Sequence, residues 1–307
     1  MSSHLPARFT IAKPASLQAA SSHQPATPKH SHHASALPSG DATSKSIPSE
    51  KSIIRTVAWK DLLPMSRWES IHEVTLSLPW LLGSFAAYHY RIWPLGLLCS
   101  FMFFLTALRQ VHNAYHYAIG FNRTFTEWFM VIMSPLMFCP LHAVQLNHLR
   151  HHKYNMNHED VEAISARMPW WKAIITGPLF PWRLLKKALE VGNTHYRRWI
   201  MFEIVVCLAW FIVVLFVLDI FFLKAHLLVM CLGECLTSFF AVWLVHHDCD
   251  ETMHSRTIRN RFKSFITYNM LYHYEHHLFP ALSTCKLAAV AKRLDQAYPN
   301  LPLKQVF

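Results

Sequence analysis

IMFEIVVCLAWFIVVLFVLDIFFL (residues 200–223), then Lys224, then AHLLVMCLGECLTSFFAVWLV (residues 225–245): this stretch decides the fold. A helix of about 20 apolar residues crosses a bilayer core, and each run supplies that length. A single basic residue between them leaves room only for a tight antiparallel turn. Working outward, residues 75–89 and 92–108 form an earlier, shorter apolar pair that turns at Tyr90 and Arg91, with Pro79 and Pro94 placed to kink it. Residues 126–146 are also apolar, but Pro135 and Pro140 interrupt them, and they read as re-entrant or interfacial. Residues 169–191 set Trp170, Trp171 and Trp182 beside Lys172, Arg183, Lys186 and Lys187. That is the pattern of a helix lying in the headgroup plane.

Composition agrees. Hydrophobic residues make up 52% and charged residues only 15%, whereas about a quarter of a soluble domain carries charge. The net charge of +11 fits either nucleic acid or an anionic membrane surface. Because the basic residues flank apolar runs and form no compact module, a nucleic-acid partner is excluded. Seven scattered cysteines with no CxxC pair read as reduced thiols. Residues 1–50 differ from all that follows: rich in Ser, Ala, Pro and His, with no acidic residue before Asp41. Such a segment cannot offset its ordering entropy and is expected to be a disordered tail, its His30, His32 and His33 solvated. Residues 51–307 are expected to form one membrane domain.

Of the 29 Lys and Arg residues, only Arg91 and Lys224 fall in the two short turns. The positive-inside rule then puts both termini and the central loop in the cytoplasm. The expected architecture is all-α and multi-pass, with about four transmembrane helices in two hairpins, interfacial helices and a cytoplasmic histidine-rich cap.

Many of the 22 histidines fall into three dense groups: His112-Asn-Ala-Tyr-His116, His148-Leu-Arg-His151-His152 and His273-Tyr-Glu-His276-His277. Residues i, i+3 and i+4 share a helical face, so each group can present its imidazoles to one site. All three meet on the cytoplasmic side provided residues 126–146 do not cross. His246 and His247, at the end of the last run, are candidates for a ninth ligand. Eight or nine nitrogens are too many for one ion, since a structural zinc takes four ligands, but they suit two. Imidazole alone does not choose between Zn, Cu, Fe and Ni.

These groups, HNAYH, HLRHH and HYEHH, resemble the three histidine boxes of the membrane-bound fatty-acid desaturase and hydroxylase superfamily, and HYEHHLFP is similar to the YHxEHHLFP of acyl-lipid desaturases. The resemblance covers roughly residues 75–307. It implies two iron ions held by His112, His116, His148, His151, His152, His273, His276 and His277, activating O2 against an acyl-chain lipid. Many relatives carry Asp after the first box histidine, where this chain has Asn113, so an acidic partner must come from elsewhere; Asp160 and Glu159 are candidates to orient a ligand. The heme-binding HPGG motif is absent, which implies a separate ferredoxin- or cytochrome b5-type electron donor. Glu234, deep in the last run, marks either the closed end of a substrate tunnel or a protonated packing position. Tyr115, Tyr268 and Tyr274 are candidate donors near the site or interface anchors.

Within this reading the expected reaction is desaturation. Hydroxylation, carotenoid ketolation and terminal-alkene-forming decarboxylation are rivals that use the same oxidant. A metal transporter is disfavoured, because transporters place polar sites at the midplane on broken helices.

Overall fold

The computed structural model describes residues 48–250 and 252–306, so the expected tail lies almost wholly outside the described residues, as do His30, His32 and His33. Among the described residues there is no strand, only an isolated bridge between Thr257 and Gln305. Short helices α1 (Glu50–Thr56) and α2 (Arg67–Thr75) lead into α3 (Leu78–His89) and α4 (Trp93–Tyr115). Ser66 closes a capping box on α2, donating its backbone N–H to Glu69 while its hydroxyl accepts from the Glu69 N–H. Helix α3 has 12 residues, about 18 Å at 1.5 Å per residue, against a core of about 30 Å. Helix α4 has 23 residues and spans with room to spare.

The chain then runs through α5 (Arg123–Met137) and α6 (Leu141–Tyr154), bent by 111° at the break between them. Phe138, left-handed at φ 58°, and Pro140 make the turn, and the Ser134 hydroxyl accepts from the Leu141 N–H freed there. A bend beyond a right angle sends α6 partly back along α5, the course of either a broken span or a re-entrant segment. Helices α7 (Trp170–Ile175) and α8 (Phe180–Val191) follow, with Trp170, Trp171 and Trp182 all exposed. Helix α9 (Thr194–Ile212) widens into a π segment (Val213–Val217). Helix α10 (Phe221–Thr237) does the same (Ser238–Trp243) before closing on α11 (Leu244–His246). Three helical stretches, Trp93–Tyr115, Thr194–Val217 and Phe221–His246, are long and apolar enough to cross a membrane; the bent α5–α6 pair taken as one span would make four. The chain is thus an all-α integral membrane protein.

Two cores hold it. Along the spans, Phe103, Phe104, Ala107 and Val111 of α4 bury against Leu81, Met130, Met133 and Met230. Lipid is as apolar as these side chains, so close packing and interhelical hydrogen bonds must drive association. Gly96 lets the Tyr88 ring lie against α4, and the Tyr88 and Ser100 hydroxyls bond at 2.9 Å. Outward, Val205, Leu208, Ile212 and Phe216 of the α9 span are all more than half exposed, a stripe at three- and four-residue spacing that faces lipid. After α12 (Arg261–Ile266), the second core is a cap built by α1, α13 (His273–Leu278) and α14 (Thr284–Ala297), where Ile53, Val57, Leu271, Phe279, Leu287 and Leu294 cluster.

Gly177 brings the turn Gly177–Leu179 against α10, where a Cβ would overlap the Cys235 carbonyl oxygen. Backbone cannot swing aside as a side chain can. Gly177→Ala is therefore expected to cost about 1–3 kcal/mol and lower the melting temperature in detergent, whereas Ala289→Ser, at an exposed position, leaves it unchanged.

Candidate metal centre

Four pieces of chain converge at one end of the spans. His112 and His116 close α4; His148, His151 and His152 line one face of α6; His246 ends α11; and His273, His276 and His277 come from α13. Their nitrogens sort into two groups. His112, His116, His148, His152 and His276 form one, His151, His246, His273 and His277 the other, and within each group the atoms all lie within 4.8 Å of one another. In the first group the Nε2 atoms of His112 and His148 are 3.0 Å apart, His148 and His152 3.1 Å, and His152 and His276 3.0 Å. In the second, His151 and His246 approach to 3.1 Å, His246 and His273 to 2.9 Å, and His151 and His277 to 3.2 Å.

The other ring nitrogens reveal which tautomers meet. Nδ1–H of His246 donates to the His254 carbonyl at 2.6 Å, and a carbonyl oxygen only accepts. Nδ1 of His151 faces Asp160 at 2.7 Å and Nδ1 of His148 faces Glu162 at 3.0 Å. His246 therefore turns an Nε2 lone pair inward, as do His151 and His148 when neutral and paired to an ionised carboxylate, and such lone pairs about 3 Å apart repel unless a proton or cation lies among them. One added proton relieves a single contact; one cation per group relieves all of them. Two nitrogens at right angles, each about 2.1 Å from an ion, sit about 3.0 Å apart, as observed. His116 Nε2 is buried without any partner, as an orphaned ligand atom would be. The residues present fit two ions.

Burial first, then the neighbouring imidazoles, hold His116, His273, His276 and His277 well below the ordinary histidine range, so they stay neutral and keep their lone pairs. Burial raises Glu162 to about 7. Burial also opposes ionisation of Asp160, but the His151 hydrogen bond and the N–H groups of Met156 and Ala163 outweigh it, and its carboxyl lies below the usual range.

Of the ten histidines read from the sequence, nine meet here. His247 does not: its ring stacks on Trp243 at 4.4 Å and lies outside both groups. Asp160 stands behind a ligand candidate, whereas Glu159 is exposed. Sequence reasoning missed Glu162, whose only signal was a second acid just after the box, and the His254 carbonyl, which had none. It also missed Glu275, the middle residue of the third box. Fully buried, Glu275 accepts from Arg259 at 2.6 Å and Thr257 at 2.5 Å, and so pins six-residue α13. Asn113 faces away from both groups. Its Nδ2 donates to Glu73 at 2.7 Å while its Oδ1 accepts from the Thr284 hydroxyl at 2.7 Å, and an aspartate could not donate to Glu73. Tyr268 instead accepts from Trp80, and Tyr274 stacks near His254.

An apolar slot of about 70 Å³ reaches the centre, with His112, His148 and His273 in a wall otherwise made by residues such as Leu108, Val144 and Phe240. Tyr115 and Thr237 also line it, and Glu234 sits behind Thr237, next to Cys139.

Asp160→Ala removes the group that orients His151, and metal affinity is expected to fall about 10–100-fold. His247→Ala should leave it unchanged. Metal content after dialysis against a graded chelator series checks both.

The family model described as fatty acid desaturase matches residues 88–306, a stretch that contains all three histidine groups and the whole of the slot. No curated protein matches the chain. With the match extending over most of its length, the chain belongs to the fatty acid desaturase family.

Proposed function

We propose that the chain catalyses O2-dependent desaturation of an acyl chain, using two iron ions and electrons from a separate donor. The observation that carries this reading is the pairing of five- and four-imidazole groups with an apolar slot whose wall includes their rings. Two bound irons would supply oxygen activation and an oxidant for an unactivated C–H, chemistry that no side chain provides.

The protein's part is placement. Nine imidazoles would hold the ions, with Asp160, Glu162 and the His254 carbonyl fixing three of the rings. Leu108, Val111, Val144 and Phe240 exclude water and admit methylenes. Whether an alcohol or an alkene results depends on whether a second, neighbouring C–H is held as near as the first, and positioning of this kind is worth several kcal/mol. The third box, HYEHHLFP, resembles acyl-lipid desaturases more than ketolases or alkane hydroxylases, which supports the alkene. Overall, O2 takes two electrons from the carbon pair and two from the donor, leaving as water. The donor, of ferredoxin or cytochrome b5 type, docks on the cytoplasmic face, where the positive-inside distribution puts both termini and most of the +11 charge.

Iron analysis should give close to two ions per chain, and His152→Ala or His276→Ala should lose both iron and activity while still inserting in the membrane. With donor, oxygen and a dideuterated saturated acyl substrate, mass spectrometry should find an internal alkene depleted of deuterium. A hydroxylated chain, or a terminal alkene one carbon shorter, would move the assignment to another branch; one zinc per chain with full activity would end the di-iron reading. For orientation, Glu159→Cys and Asp219→Cys place thiols on exposed residues at opposite ends of the spans. An impermeant reagent applied from the cytoplasmic side should label the first and spare the second.

A further inference from the structure

A second cavity, about 580 Å³, opens on the far side of residues 267–272 from the metal slot. Tyr268, Asn269 and Tyr272 line it, whereas Met270 and His273 line the slot, so this turn is the partition between the two. The partition is unusual backbone. Tyr268 and Asn269 are consecutive left-handed residues at φ 53° and 60°, held by Trp80 Nε1–H donating to the Tyr268 hydroxyl and the Ser264 hydroxyl donating to Asn269 Oδ1.

The lining has two characters. Met102, Phe265, Ile266 and Ala288 are apolar; His72, Arg109 and Arg261 are basic; no carboxylate lines the cavity among the described residues. Arg109 is 3% exposed and pairs with Glu73 through Nη2, yet its Nε is buried with no hydrogen-bond partner. A buried guanidinium N–H left unpaired beside a cavity is a donor waiting for an acceptor. Arg261 and His72 are exposed at the rim. Beside Arg261 on α12, Phe262 is 72% exposed, and Phe265, part of the cavity wall, is 77% exposed. In water that face would be costly; in an interface it puts aromatic rings among acyl chains and cations level with phosphates.

We propose that this cavity binds an anionic membrane phospholipid, its phosphate between Arg261 and His72 with Arg109 beneath, and an acyl chain against Met102, Phe265 and Ile266. Charge selects the anion, and the apolar half together with the outward phenylalanines selects a lipid over a soluble phosphate. Binding at this site is independent of the oxidation chemistry. That a lipid seated here also passes a chain beneath the 267–272 partition to the slot rests on the desaturase reading.

The test uses the full chain purified in detergent and read by native mass spectrometry without turnover, so failure would leave the oxidation proposal standing. The probes are phosphatidylglycerol, diacylglycerol with the same chains, and inorganic phosphate. Phosphatidylglycerol should be retained in preference to diacylglycerol. Arg261→Glu should cut its retention roughly tenfold, the loss of one charge-assisted contact. Ala288→Trp should do the same by filling the apolar half. Should the tryptophan variant fail to fold, Arg261→Ala on the exposed rim gives the same reading with a smaller loss. Equal retention of diacylglycerol, or unchanged retention in Arg261→Glu, would overturn the site, and full displacement by inorganic phosphate would overturn its assignment to a lipid.

Discussion

Nine imidazoles with ring nitrogens crowded to about 3 Å are held together by the rest of the chain, not by their own attraction. Every large feature of the fold follows from having to bring them to one place. Helices α4, α6, α10–α11 and α13 must end at the same side, so the chain between His116 and His148 has to return to the side it left. The 111° bend at Phe138 and Pro140 accomplishes this. Without cations the cluster is a reservoir of unfavourable contacts; with them it becomes a cross-link between four separate pieces of chain. Metal loading would accordingly be coupled to folding of the cap.

The repulsion is resisted by two buried polar networks, one behind each outer box. Behind the first, Glu73 of α2 accepts from Arg109 and from Asn113, and Asn113 in turn holds the start of α14. Behind the third, Arg259 bridges Glu275 of α13 and Asp295 of α14. A buried carboxylate is expensive unless several donors surround it, and each of these has at least two. A six-residue helix such as α13 has no independent stability, so its bearing on the metal groups is set by Glu275 and by packing on Phe279 and Leu287.

This division explains what could be read from the sequence. Box spacing and the length of the apolar runs are local properties, and both survive in the fold: eight box histidines gather as their spacing requires, and residues 200–245 form two long helices. Whatever depends on a partner distant in sequence was hidden. Nothing in Asn113 itself reveals that Glu73 awaits a donor, and a main-chain carbonyl such as that of His254 leaves no mark in a sequence. Residues 75–89 read as the first arm of an apolar hairpin, short for a span, and turns at Leu76 and Ser77 end α2 and leave a 12-residue α3. The choice between His246 and His247 depended on helix phase, which hydropathy does not report.

That phase is set by the π segment Ser238–Trp243. A wide turn absorbs one residue more than an α-helical turn, and each residue of an α-helix advances the azimuth by about 100°. Everything downstream is therefore rotated by the extra residue. Excising one residue from 238–243 would let the turn tighten to ordinary winding, so that five residues turn through the angle six now take and His246 keeps its azimuth, with His247 still beyond the centre. Adding one would carry both histidines past the centre. The wide turn gives the last span slack of one residue: it can lose one there, but not gain one, without changing which nitrogen is the ninth.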